Sequence, residues 1–430
     1  MKIAICTLGC KVNQYESQAM EQELLRRGHQ LTGFDGPADA YIINTCTVTA
    51  VSDKKCRNII RRARKQAPES VVAVCGCYAQ TDPQAVAELG VDVVSGSAGR
   101  MDFLDRLEGQ LQQRGSQVVT VDKAMDRRQF ERLPAGGQEG RTRAMLKVED
   151  GCAHFCSYCV IPYARGPVRS LPPEEAVEQA KSLREAGYRE LVITGIEISS
   201  WGRDLEGRPG FLMLVEEVCR AVPELRVRLG SLEPRTITPE FCQRAAALPN
   251  LCPHFHLSLQ SGCDATLARM NRKYDSKRYY ESVKLLRDVF QDPGITTDLI
   301  VGFPQETQEE FDQTLDFIQK CGFSAMHIFP YSRRPGTPAA DMDGQIPKAV
   351  QEERARQAMA AAEEMKQAYL NRQVGRAFSV LFEEERNGLW QGHAPNYVLV
   401  HTQGENLHNQ VRQVRITGIT DGGLLGEAMP

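Results

Sequence analysis

Short apolar runs alternate with amphipathic stretches of helical length through most of this chain, and that alternation restricts the fold more than any other feature. It indicates parallel sheets covered by helices, an α/β class. IAIC (Ile3–Cys6) precedes a helix from about Glu16 to Arg27, and YIIN (Tyr41–Asn44) precedes a basic helix from about Asp53. VVAVC (Val71–Cys75) and VDVVSG (Val91–Gly96) precede helices near Pro83 and over Asp102–Gln113. An N-terminal parallel α/β domain is therefore expected over residues 1–125, with ligands gathering at the carboxyl ends of its strands. Residues 126–143 read as a linker, since the RLPAGGQEGRTR run (Arg132–Arg143) holds Gly, Pro and charge without apolar period.

Six more runs follow over residues 144–370: Ala144–Val148, Leu191–Gly195, Val227–Ser231, His254–Leu259, Thr296–Gly302 and Ala325–Phe329, closed by a helix at Lys348–Leu370. Six β/α units predict an open, partial (β/α)6 barrel with its chemistry at the strand carboxyl ends. Over residues 371–430 short alternating strands (FSVLFEEE, YVLVHT, VRQVRITGI) between Gly-rich turns predict a small antiparallel β-barrel.

At 430 residues the chain is long enough for about three domains. No run approaches the ~18 apolar residues of a membrane span. Met1-Lys2 leads straight into Ile3 without a leader pattern, so no membrane association and a cytoplasmic location are expected. A net charge of −3 leaves RNA contact to local patches. In a reducing compartment the 14 cysteines are free for metal or catalytic roles where they cluster. Cys219, Cys242, Cys252, Cys263 and Cys321 stand alone and are expected to be small buried hydrophobes.

Two sets of cysteines do cluster. Cys152, Cys156 and Cys159 lie in GCAHFCSYC, just after the first barrel strand. Three thiolates hold three irons of a cubane and leave the fourth iron open, as a chelating amino acid such as the methionine end of S-adenosylmethionine (SAM) requires. A structural zinc would want a fourth ligand, for which His154 is the one neighbour. Cys10, Cys46 and Cys77 each end a strand of the N-terminal domain, about one β/α unit apart. Strands pointing the same way bring such residues to one sheet edge. Cys6 and Cys75 fall inside strands and are expected to be packed; Cys56 is unassigned.

Seven basic residues and no acidic one lie between Lys54 and Lys65: Lys54, Lys55, Arg57, Arg61, Arg62, Arg64 and Lys65. On one helix they make either a stripe for phosphates or a solvated face. From Arg372 onward there are five Arg against six Asp and Glu, so RNA contact there is expected through Trp390, Tyr397 and Phe378.

The CxxxCxxC loop at the end of a first barrel strand resembles the radical-SAM superfamily. The resemblance implies that Tyr158 lies against the SAM adenine, that Thr194, Gly195 and Glu197 meet its amino group, and that the segment from Gly302 to Glu306 contacts its adenosine. As bland alternatives, Gly302 and Pro304 make a tight turn, and Glu197 and Glu306 are solvated residues at helix starts. GCKVNQYES, INTCTVT, GCYAQ, HLSLQSG (His256–Gly262), IVGFPQET and FPYSRRPGT (Phe329–Thr337) extend the resemblance along the whole chain to the methylthiotransferases. That family implies two [4Fe–4S] clusters, one on Cys10, Cys46 and Cys77 and one on Cys152, Cys156 and Cys159, with a C-terminal TRAM barrel holding RNA. It also implies SAM, tRNA, a low-potential electron donor and a sulfur source.

LGCKVNQYE and NTCTVT are most similar to the branch that methylthiolates N6-threonylcarbamoyladenosine beside the tRNA anticodon, and the pair after the first cysteine here is Lys11-Val12. The isopentenyladenosine branch carries Gln-Met there, and the branch acting on a ribosomal-protein aspartate carries Pro-Lys. The implied reaction is hydrogen abstraction from adenine carbon 2 by a 5′-deoxyadenosyl radical, then methylthio transfer to an extruded base. A non-enzymatic iron–sulfur RNA-binding regulator is the alternative from another class.

Overall fold

A computed structural model describes residues 1–136 and 140–429. Residues 137–139 of the expected linker lie outside the described residues.

The N-terminal elements are β1 (Lys2–Thr7), α1 (Lys11–Arg26), β2 (Gln30–Thr32), β3 (Ala40–Thr45), α2 (Ala50–Gln66), β4 (Val71–Gly76), α3 (Cys77–Thr81), α4 (Pro83–Ala87), β5 (Val93–Ser95), α5 (Arg100–Gln112) and β6 (Val118–Thr120). All strands are parallel, in the order β2-β1-β3-β4-β5-β6. β3 and β4 are buried on both faces, as their unbroken apolar runs require. Tyr41, Ile43, Val72 and Val74 pack against Ile60 and Ala63 of α2. Ile42 and Ala73 face Met20 and Leu24 of α1 and Phe103 and Leu107 of α5. Sequence pattern misses β2 and β6, three-residue edge strands too exposed to make an apolar run. Strand order reverses between β1 and β3, and a crevice at their carboxyl ends follows.

Next come β7 (Arg143–Lys147), β8 (Glu149–Asp150), α6 (Ile161–Arg165), β9 (Arg169–Ser170), α7 (Pro173–Glu185), β10 (Glu190–Thr194), α8 (Phe211–Ala221), β11 (Arg226–Leu229) and β12 (Ser231–Leu232). They are followed by α9 (Pro239–Ala246), β13 (His254–Leu257), α10 (Asp264–Arg269), α11 (Ser276–Val289), β14 (Gly294–Val301), α12 (Gln308–Cys321), β15 (Ala325–Pro330), α13 (Pro338–Asp341) and α14 (Lys348–Asn371). The six predicted strands are present and parallel, in two sheets, β11-β10-β7 and β12-β13-β14-β15. The third strand bends between the sheets at Gly230, whose N–H donates to the Ile193 carbonyl at 2.8 Å. β7 and β15 do not pair, so the barrel is open. β8 and β9, an antiparallel ribbon unforeseen from sequence, flank the cysteine loop.

Strand alternation sends Leu191, Ile193, Val227, Leu229, Phe255 and Leu299 outward into the helices. Many of the inward residues are polar, although Met145, Val192 and Ile300 point inward as well. Glu190 pairs in register with Arg143 and Arg226, His256 with Thr296, and Asp298 with His327. Closed barrels fill this space with Val, Ile and Leu.

The C-terminal strands β16 (Ala377–Arg386), β17 (Leu389–His393), β18 (Leu399–Thr402), β19 (Val411–Thr420) and β20 (Gly423–Ala428) close a barrel in the order β16-β17-β18-β20-β19. Every pair is antiparallel except β18–β20, which is parallel and corrects the all-antiparallel expectation. This small barrel covers the amino ends of the large barrel's strands. Arg226 donates to the Ser379 and His393 carbonyls at 3.0 Å each, and Arg228 to the Pro395 carbonyl at 2.8 Å. Among the described residues no helix is long and apolar enough to cross a membrane.

Candidate active site

The loop of Cys152, Cys156 and Cys159 runs from β8 to α6, and local stereochemistry fixes its course. Gly151 has φ +96°, and a Cβ there would stand 2.0 Å from the Pro167 carbonyl oxygen. Phe155 turns back in the left-handed region, φ +47°, and Asn271 Nδ2 donates to its carbonyl at 2.9 Å. Ser157 is tied by N–H to the Met270 carbonyl (3.0 Å) and by Oγ to that of Arg269 (2.7 Å). Two donors aim at sulfur: Arg272 at Cys156 Sγ (3.3 Å) and the Ile161 N–H at Cys159 Sγ (3.4 Å). Burial pushes the Cys159 thiol up to about 12, and neighbouring Cys156 adds to it. Burial raises Cys152 as well, with Cys159, Glu197 and Cys156 reinforcing. Thiols crowded this way favour a bound cation over three separate protons.

The residues matched to SAM contacts fall around this loop. Thr194 ends β10, and its carbonyl accepts from the Val148 N–H at 2.9 Å. A Cβ on Gly195 would lie 2.7 Å from Glu149 Oε2, so only glycine fits. Glu197 takes His154 Nε2 at 3.1 Å, the Ser199 N–H at 3.1 Å and the Ser200 hydroxyl. His154 is thereby engaged by a carboxylate. Tyr158 meets Phe303 edge-on, with centroids 6.4 Å apart, which brings the segment from Gly302 to Glu306 to the cysteine loop. Gly302 (φ +69°) makes the tight turn given above as the alternative, and its N–H donates to Glu306 Oε2 at 2.7 Å. Glu306 also takes Arg354 of α14 at 2.7 Å, so it braces that turn from behind.

The second triad lies at the crevice between β1 and β3. Cys10 is the N-cap of α1, Cys46 follows β3 and Cys77 opens α3 after β4. A Cβ on Gly9 would stand 2.8 Å from Cys46 Cβ, and one on Gly76 2.4 Å from the Thr45 carbonyl. Glycine before Cys10 and before Cys77 is what lets these two loops close around Cys46, which follows Thr45. Asn13 Nδ2 links them, donating to the Leu8 carbonyl at 3.0 Å and that of Thr45 at 2.9 Å. Arg165 Nε donates to Cys77 Sγ at 3.2 Å. Burial pushes Cys77 up to about 12; Arg165 opposes it, while Cys10 and Cys46 contribute as neighbours. Burial also raises Cys46. Among the described residues no three His, Cys, Asp or Glu side chains gather about a single ion. Cubane thiolates each take a different iron, and both all-sulfur sets fit such a cluster in chemistry and in the donors aimed at sulfur. Cys75 and Cys56 are buried and Cys6 half-buried, while the five isolated cysteines are all buried as expected.

A charged network joins the two sites, and nothing in the sequence pattern marks it. Glu16 of α1 is wholly buried and takes Arg100 at 2.6 Å, Lys147 at 3.1 Å and Arg165. Asp150 takes Lys147 at 2.8 Å and Arg169 at 3.4 Å. Burial works to raise the Glu16 carboxyl, but Arg100, Arg165 and Lys147 hold it well below the usual range. α6 begins two residues after Cys159 and ends at Arg165, so one short helix spans from one cysteine set to the other.

The basic residues all lie on α2, whose buried side is formed by Cys56, Ile60 and Ala63, with Arg57 and Arg64 half-buried at its flank. Lys54, Lys55, Arg61, Arg62 and Lys65 lie exposed on its open side. Arg62 pairs with Asp35. Arg57 is held by the Tyr78 hydroxyl at 3.1 Å, and Arg64 by the Ser70 carbonyl at 3.0 Å and by Asp92. The last two are structural, which narrows the stripe. Arg334 of the barrel fixes the start of α2 through Asp53 and Thr47. The small barrel's aromatics are occupied too: Phe378 and Trp390 pack on its core, and Tyr397 stacks between His254 and His393. Exposed Val51, Phe155 and Phe329, which sequence reasoning passed over, lie near strand carboxyl ends instead.

An open barrel with CxxxCxxC after its first strand, beside a second cysteine-bearing sheet, defines the radical-SAM class. A family model described as the Radical SAM superfamily matches residues 146–318, and one described as Uncharacterized protein family UPF0004 matches residues 2–96. The threonylcarbamoyladenosine tRNA methylthiotransferase MtaB of Bacillus subtilis is 38% identical over 421 residues, 96% of this chain and 93% of the relative. The protein of that name from Aquifex aeolicus is 36% identical, over 94% of this chain and 97% of its own. A tRNA-2-methylthio-N(6)-dimethylallyladenosine synthase of Cereibacter sphaeroides is 34% identical, over 100% and 98%. The radical S-adenosylmethionine methyltransferase TsrM of Kitasatospora setae shares the fold at a TM-score of 0.57 and 16% identity, over 79% of this chain and 74% of that one. The chain belongs to the methylthiotransferase family of radical-SAM enzymes, and with that membership come an iron–sulfur cluster and SAM.

Proposed function

We propose that this chain transfers a methylthio group to carbon 2 of N6-threonylcarbamoyladenosine in tRNA, using two [4Fe–4S] clusters. The observation that carries the reading is the pairing of two cysteine triads across one short helix, in a chain whose full-length relatives are named for that activity. Cys152, Cys156 and Cys159 hold one cluster and Cys10, Cys46 and Cys77 the other. With SAM bound, the open irons supply a 5′-deoxyadenosyl radical at the first site and a methylthio group at the second.

The protein's share is positioning and exclusion of side reactions. Arg272 and the Ile161 N–H fix two thiolates of the first triad, and Arg165 fixes one of the second. Tyr158 against Phe303 walls one side of the cysteine loop, and Glu197 with His154 closes the other. Lys54, Lys55, Arg61 and Lys65, held beside the barrel by Arg334, meet phosphates of the anticodon stem. Residues 1–125, 144–370 and 371–430 serve as sulfur-donor, radical and RNA-holding units. A low-potential donor and an external sulfur source complete the cycle, and with tRNA as substrate the enzyme works in the cytoplasm. The test is mass spectrometry of tRNA nucleosides from a deletion strain. The 2-methylthio form of threonylcarbamoyladenosine should vanish while its precursor accumulates. Its persistence, with a mass change on a ribosomal protein instead, would refute the reading.

A further inference from the structure

The inward polar residues of the large barrel converge on a cationic floor built by three parts of the chain. Arg143, Glu190, Arg226 and His254 each begin a strand, and register sets the first three side by side. Tyr397 enters from the small barrel in the left-handed region, φ +70°. Its ring stacks on His254 (4.7 Å) and His393 (4.8 Å), with the Arg228 guanidinium 4.7 Å from its centroid. Lys11, the first residue of α1, comes from the N-terminal domain and lies within electrostatic reach of Tyr397, Arg228, Arg143 and Glu190. Its side chain is exposed rather than packed.

Charge here does not balance. Arg143 pairs with Glu383 (2.9 Å), and Arg226 and Arg228 share Glu190 (2.6 and 2.8 Å). Four cations thus face two carboxylates, and among the described residues Lys11 has neither an ion pair nor a hydrogen bond. Burial, followed by Arg228, His256 and Lys11, holds the His254 imidazole well below its ordinary range, as a positive field would.

We propose that this floor receives the carboxylate at the far end of the base's N6 substituent, with Lys11 as its cation. The inference rests on the substrate class proposed above. A threonyl group acylated on its amine keeps a free carboxylate and a hydroxyl, and both suit a polar lumen. An aliphatic substituent would leave the floor's charged groups desolvated without partners. Lys11 follows Cys10 directly, so the residue that reads the substituent is tied to the cluster that faces carbon 2.

The test is equilibrium binding of RNA stem-loops to the reconstituted full chain by fluorescence anisotropy. One RNA carries the threonylcarbamoyl group, a second carries its methyl ester, and a third carries unmodified adenosine. Wild type should prefer acid to ester by about 10- to 100-fold, the usual worth of a hydrogen bond to a charged group. Lys11→Met should bring that ratio near one, and Lys11→Arg, which keeps the charge should Met disturb folding, should retain most of it. An unchanged acid-to-ester ratio in Lys11→Met overturns the proposal. Equal binding of the acid and unmodified RNAs by wild type would overturn the substrate reading itself, and this inference with it.

Discussion

Arg165 is wholly buried and touches Cys77, Asn13 and Glu16, groups that no local pattern in the sequence connects. The cysteines were legible because their spacing is local: three within one loop, or one at each successive strand end. The network around Glu16 was not, since each partner lies on a different element and each residue alone reads as ordinary surface charge. Removing one member of a buried ionic network leaves uncompensated charge, at a cost of about 3–5 kcal/mol. Arg165→Met should lower the urea stability of the metal-free chain by that order, with Arg165→Lys intermediate. A loss under about 1 kcal/mol would mean that the network is not structural. Glu190 offers a test by pH. Burial favours its neutral form, but Arg228 and Arg226 prevail and hold it at about 2, against an ordinary 4.5. A depressed carboxyl stabilises fully above its unfolded value and loses that contribution as pH falls toward the folded one. The window is therefore from about pH 4.5 down to about pH 2, and the amount is roughly 3 kcal/mol. Urea midpoints taken down through that range should fall more steeply in wild type than in Glu190→Gln, and parallel curves would count against the assignment.

Elements with a strong period were legible in the sequence, and elements defined by pairing alone were not. The six barrel strands and α14 fall where apolar runs and helix formers place them, because each buries a continuous face. β2, β6 and the β8–β9 ribbon exist through hydrogen bonds to neighbours, with two or three residues each. The parallel pairing of β18 with β20 is set by barrel closure, which no local signal encodes. α2 was legible as a helix, but which of its basic residues are free was not. Lys55, Arg61 and Lys65 are exposed on it, whereas Arg57 and Arg64 are held by protein groups. Charge reversal of Lys55, Arg61 and Lys65 to Glu should therefore weaken tRNA binding and flatten its salt dependence, by roughly 0.7–0.9 in log–log slope for each phosphate no longer neutralised. Charge reversal at Arg57 and Arg64 should instead lower the melting temperature. Unchanged tRNA affinity in the first variant, across salt concentrations, returns α2 to a solvated face.

At the scale of the whole molecule the two cysteine sets belong to different sheets with different cores, so their work should be separable. The barrel set sits with Tyr158, Thr194, Gly195 and Glu197, the residues matched to SAM contacts, while the N-terminal set sits in the crevice between β1 and β3 and meets the barrel through Arg165. Replacing Cys10, Cys46 and Cys77 with Ala should leave one cluster's worth of iron, and that protein should still convert SAM to 5′-deoxyadenosine under reduction. It should transfer no methylthio group to tRNA. Replacing Cys152, Cys156 and Cys159 should abolish SAM cleavage and leave the other cluster in place. Cluster loss can unfold the domain that held it, and the Gly9 and Gly76 approaches show how tightly the N-terminal loops are closed. Circular dichroism of each variant therefore comes first, with Ser replacements as a milder set. A folded N-terminal variant that still methylthiolates tRNA over several turnovers would show that sulfur reaches the base from elsewhere, and the division of labour between the two sheets would fall.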